Sequence, residues 1–199
     1  MEYNAARLDL LKELGNIGAG HATTALSRLL GDKRLQLIVP EAMVLDFQET
    51  MELWGGPEQV VAAVYVVVSG NISGHMALIL PLACAQSLLT YLLGTPRSEL
   101  DEMDLSALQE MGNIVVTSYL NALADLTEMS LYPSVPAVAI DMVAAVWSSI
   151  LAETDFADYV TLIRTTFETD DDRIEGTIAF IPETTYLTKV LASLGMEDI

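Results

Sequence analysis

Glu13-Leu14-Gly15-Asn16-Ile17 occurs twice in this 199-residue chain, the second time as Glu110-Met111-Gly112-Asn113-Ile114. The copies stand 97 residues apart (13 to 110), close to half the chain, and only Leu14/Met111 differs. The register extends outward: Leu8 falls on Leu105, Leu11 on Leu108, Ala25 on Ala122 and Leu26 on Leu123. Apolar matches at helical spacing arise readily by chance. A Glu and an Asn kept inside the match do not.

Around the first copy, Leu8, Leu11, Leu14, Ile17, Leu26 and Leu29-Leu30 predict a helix running to about Leu30. Asn4 or Asp9 would cap it, and Gly31-Asp32 would stop it. Asp9, Glu13, Asn16 and Gly20 follow at i, i+4, i+7 and i+11, which places them on one narrow polar stripe. The second stripe is Ser106, Glu110 and Asn113. Gly15, Gly18 and Gly20 each lower helix propensity by up to about 1 kcal/mol. A helix carries such residues where a neighbouring element or a bound partner approaches closely.

Between the stripes, residues 35–39 alternate weakly before Pro40 interrupts them, and 43–47 lead into a short amphipathic piece at 48–54. Residues 60–69 read as a buried valine-rich strand, Gly70-Asn71 as a hairpin turn and 72–80 as the return strand. A helix at 83–93 stops at Gly94 and Pro96, and 97–104 form a polar link. The order then repeats: helix from 106 to about 129, strand at 137–140 after Pro133 and Pro136, helix at 141–152, strands at 159–167 and 174–181 around Asp170-Asp171-Asp172, and a helix at 188–194. The expectation is an α+β protein, a single domain over 1–199 made of two repeats (about 1–96 and 104–199). Hairpin-joined strands favour a largely antiparallel sheet, with the two long motif-bearing helices packed on it.

Twenty-eight acidic residues against nine basic ones give a net charge of −19, and only Lys12, Lys33 and Lys189 are lysines. Such a surface excludes nucleic acid as an expected partner. It fits a salt-rich cytosol, where at about 1 M salt the Debye length falls to about 3 Å and self-repulsion is screened. An ordinary acidic protein fits equally. No apolar run reaches the roughly 18 residues of a membrane span, and the nearest, 137–151, contains Asp141. Cys84 is the lone cysteine, and the N-terminus lacks a signal-peptide layout, so the chain reads as soluble and cytoplasmic.

The usual chemical constellations are missing. Cys84 lies among Ala83, Ala85 and Leu88 as a core residue would, and His21 and His75 are too few for a metal-ligand pattern. Asp170 to Asp172 lack the glycine and terminal glutamate of a calcium loop. The two stripes remain. A polar helix face with an Asn that fixes packing is the structural alternative. The duplication, with Gly15 and Gly112 set immediately before each Asn, favours a functional reading.

The pattern Asp/Ser-x-x-x-Glu-x-x-Asn followed by a distant proline resembles the CheC family of chemotaxis phosphatases. The second copy supplies Ser106, Glu110, Asn113 and, after 22 intervening residues, Pro136; the first supplies Asp9, Glu13, Asn16 and, one residue late, Pro40. The resemblance spans essentially the whole chain. It implies dephosphorylation of the phospho-aspartate of the response regulator CheY. Asn16 and Asn113 would then orient water, since a carboxamide offers both donor and acceptor. Glu13 and Glu110 would dock the receiver by pairing with its lysine. Asp9, Ser106, Pro40 and Pro136 would support the sites. An acyl phosphate is already activated and the receiver carries its own Mg²⁺, so the resemblance implies no cofactor or metal of the chain's own. Family members also bind the receptor deamidase CheD, which makes an adaptor regulating CheD the alternative expectation.

Overall fold

The computed structural model describes residues 5–31, 33–96, 99–152 and 159–183. In chain order the elements are α1 (Ala5–Leu30), β1 (Gln36–Asp46), α2 (Phe47–Leu53), β2 (Val60–Gly70), β3 (Gly74–Pro81) and α3 (Leu82–Leu93). There follow α4 (Glu102–Thr127), β4 (Leu131–Pro133), β5 (Ala137–Met142), α5 (Val143–Leu151), β6 (Tyr159–Glu168) and β7 (Arg173–Pro182). The fold is α+β. The helix expected at 188–194 lies outside the described residues.

The strands form one sheet in the order β1-β6-β7-β3-β2-β4, with β5 also on β2, and every pairing is antiparallel. Each hairpin is flanked by a strand from the other half of the chain: the late β6–β7 hairpin by β1, and the early β2–β3 hairpin by β5. Alternation along β2 divides the core. Ala62, Val64, Val66 and Val68 face α1 and α4, together with Leu14, Leu26, Leu108, Met111, Val115 and Leu120. Val61 and Ala63 face the other way, onto Trp54, Val146, Trp147 and Ile150 beneath α2 and α5. There the Trp147 ring stands 5.7 Å from Phe47 and 5.9 Å from Trp54. Cys84 is half-buried, and burial pushes its thiol pKa up, as for a packing residue.

Local chemistry accounts for several boundaries. Asp46 accepts from the Glu49 N–H at 2.8 Å while Glu49 reaches back to the Asp46 N–H at 3.2 Å, a capping box that starts α2. Gly94 ends α3 with φ of 77°.

Three sequence expectations are corrected. First, the polar link is shorter than 97–104. Asp101 accepts from the N–H groups of Met103 and Asp104, and the buried Asp104 accepts from the Asp101 N–H at 3.0 Å, so α4 begins at Glu102 rather than at Ser106. Second, Pro40 does not break the strand. The β1–β6 register slips between Ile38 and Glu41, and Pro40 sits in that bulge, where a residue without an N–H removes nothing from the ladder. Third, the segment before residue 137 contains a short strand, β4, that carries Pro133 at its end.

Among the described residues, no helix is long and apolar enough to cross a membrane.

Candidate active site: two motif-bearing helix faces

Glycine sets how each motif helix lies. A Cβ added to Gly112 would stand 2.5 Å from the Val64 side chain, and one added to Gly15 would stand 2.8 Å from Ile163 and 2.9 Å from Val39. Both glycines therefore face the sheet at closest approach. At about 100° per residue, Asn113, Glu110 and Ser106 must then lie roughly 100° to 160° away from the sheet-facing direction. The same holds for Asn16, Glu13 and Asp9. Asp9, Glu13, Asn16, Ser106 and Glu110 are exposed, and Asn113 is half-buried. Gly18 serves a different purpose: it receives the Tyr119 ring where α1 crosses α4, a Cβ there falling 2.8 Å from the ring.

The structure keeps each stripe on its own helix, and among the described residues no hydrogen bond or ion pair joins the two. The prolines come to the motif helices by different means. Pro40 is exposed in the β1 bulge, next to the Val39 that abuts Gly15. Pro136 follows a kink in which Ser134 bonds both the N–H and the C=O of Val67, and its carbonyl accepts from Gln109 Nε2 at 2.8 Å. The Pro136 segment is thus fastened to α4 itself.

Two residues of the second face were missed in the sequence. One is Gln109, the clamp on Pro136. The other is Thr117, whose hydroxyl donates to Asn113 Oδ1 at 3.3 Å. Their counterparts in the 97-residue register are Lys12 and Gly20. No identity between the copies marks either residue.

Each face offers one carboxylate and one carboxamide. Among the described residues neither face carries a cysteine, and no group of three or more His, Cys, Asp or Glu is placed to hold a metal ion. Such a set can orient a water and accept a cation from a partner. It cannot form a covalent intermediate readily. An open, mostly apolar groove lined by Leu82, Leu100, Leu105, Val138 and Ile140, with Gln86 and Glu99 also in its lining, runs beside the head of α4.

The family model described as CheC-like matches residues 7–43 and 103–140, the two stretches that carry α1 with β1 and α4 with β4 and β5. The chain is 35% identical over 197 residues to the CheY-P phosphatase CheC of Bacillus subtilis (strain 168), covering 95% of this chain and 94% of that one. In fold it is similar to Thermotoga maritima FliY, with a TM-score of 0.77 at 20% identity and full coverage of both chains. It is also similar to a chain of the CheX–CheY–BeF3–Mg²⁺ complex from Borrelia burgdorferi, with a TM-score of 0.52 at 15% identity over 86% of this chain and 97% of that one. A duplicated Glu-x-x-Asn helix face on this sheet, and a full-length relative of that identity, lead to one conclusion: the chain belongs to the CheC-like family.

Proposed function

We propose that this protein dephosphorylates the phospho-aspartate of a CheY-type receiver at two sites, one on each motif helix. The observation that carries the reading is the outward Glu-x-x-Asn face, twice over. A water held by the carboxamide of Asn16 or Asn113 attacks phosphorus in line. The bond from water oxygen to phosphorus forms as the bond from phosphorus to the aspartyl oxygen breaks, giving inorganic phosphate and a free carboxylate. Glu13 and Glu110 pair with a receiver lysine and hold the two proteins in register. Mg²⁺ arrives with the substrate. Asp9 and Ser106, one turn before each Glu, and Pro40 and Pro136 support the two faces. The groove beside the head of α4 gives the receiver apolar surface to cover.

The same reading makes 1–199 one CheC-like unit of two copies. The exchange of β1 and β5 between hairpins supports it, since neither half carries all the strands that flank its own hairpin.

The test is phosphate release from phosphorylated receiver of the same source, in molar salt so that the −19 charge is screened. Wild type is compared with Asn16→Ala/Asn113→Ala. Faster decay with wild type alone supports the reading. Equal decay with both would overturn it, and would favour a protein that binds and regulates CheD through the same faces.

A further inference from the structure

Several hydroxyls of α1 and α4 are spent on the backbone of their own helix. Thr24, Ser118 and Thr127 each donate to the backbone carbonyl four residues back. Thr117 stands in the same relation to residue 113, yet its hydroxyl is directed to the Asn113 side chain, with Oγ1 3.3 Å from Oδ1. A terminal carboxamide torsion is broad and nearly two-fold, so an unrestrained Asn samples many planes. A hydroxyl held one helical turn away selects one of them. It occupies one lone pair of Oδ1 and leaves the second lone pair and both Nδ2 hydrogens for a water.

The first face has no such restraint. The counterpart of Thr117 is Gly20, around whose missing Cβ nothing lies within 4 Å, and Asn16 is exposed where Asn113 is half-buried. The pairing of motif residues is duplicated, but the support of the Asn is not.

We propose that Thr117 is a positioning residue that pre-sets the Asn113 carboxamide, so that the second site works with an oriented amide and the first with a free one. This rests on the phosphatase reading above. It adds that the two sites differ in turnover rather than in receiver affinity, because Thr117 acts on the Asn and not on the docking Glu110.

The experiment reads one site at a time. In an Asn16→Ala background, Thr117→Val keeps the shape and removes the hydroxyl, Thr117→Ser keeps the hydroxyl, and Asn113→Ala removes the amide. Turnover and KM for phosphorylated receiver are measured with the thermal midpoint. The expected result for Thr117→Val is a kcat about five- to tenfold lower, the worth of one hydrogen bond, with KM and midpoint unchanged. Thr117→Ser should restore the parent kcat. In an Asn113→Ala background, Gly20→Thr fits the open space and should raise the kcat of the first site. A Thr117→Val protein as fast as its parent, beside an inactive Asn113→Ala, would overturn the positioning role and leave the phosphatase reading standing. Equal losses in Thr117→Ser and Thr117→Val with a lowered midpoint would overturn it in favour of packing. An Asn113→Ala protein that loses nothing would overturn the phosphatase reading itself.

Discussion

Gly112 faces Val64 so closely that a Cβ on the glycine would stand 2.5 Å from both Cβ and Cγ2 of the valine. Val64 is stiff, buried and held in a ladder between β3 and β5, so it cannot yield. Gly112→Ala should destabilise the protein by about 1–3 kcal/mol despite the better helix former. Gly20→Ala, in open space, should stabilise it by up to about 1 kcal/mol. Urea unfolding of both variants checks the opposite signs. A Gly112→Ala protein as stable as wild type would mean that α4 does not rest on β2 as described.

Asn113→Ala should reduce total phosphatase activity about tenfold or more, the scale of losing one aimed polar group at a reacting centre. Asn16→Ala should remove less than half of it. The ranking follows from the Gln109 clamp and the Thr117 hydrogen bond, both confined to the second face. Unfolding midpoints should be unchanged in both variants, because neither amide is fully buried. Comparable activity losses would refute the ranking.

Tyr119 is 1% exposed, its hydroxyl 3.0 Å from Thr165 Oγ1. Burial pushes its phenol up to about 12, the Thr165 hydrogen bond acting weakly in the opposite direction. Below about pH 10 both folded and unfolded states keep the proton. Between about 10 and 12 the unfolded chain loses it first, so unfolding releases a proton and stability falls as pH rises. Tyr119→Phe should cost about 1 kcal/mol at neutral pH, and its stability should decline less steeply than wild type between pH 10 and 12. Parallel declines would show that Tyr119 is not the group responsible.

Asp101→Ala removes the acceptor for two N–H groups at the head of α4. The loss should be about 0.5–2 kcal/mol, and Asp101→Ser should recover most of it. Chemical denaturation of the pair tests this.

Much of the fold was legible because its signals are local. The stripes at helical spacing, the valine-rich β2, the Gly70-Asn71 hairpin and the Gly94 stop each depend on residues within one or two turns. What escaped depends on where an element sits. Pro40 ends a strand in the middle of a sheet but not in a bulge on an edge, and the sequence does not say that β1 is an edge. The start of α4 was misplaced because its box uses Asp104 where Glu or Gln is usual. The motif residues stood out because they are repeated. Gln109 and Thr117 did not, because what matters in them is that Lys12 and Gly20 replace them in the other copy.

The exchange of flanking strands also sets an order on how the chain is made. β1 is complete by Asp46, yet its ladder requires Glu168 opposite Gln36 and Tyr159 opposite Asp46, residues synthesised far later. The β2–β3 hairpin can close at once, whereas β1 must wait on the ribosome as an unpaired edge until the last hairpin emerges. Such an edge invites other nascent chains. The Pro40 bulge and the adjoining Glu41 are features of the kind that blunt an exposed strand edge.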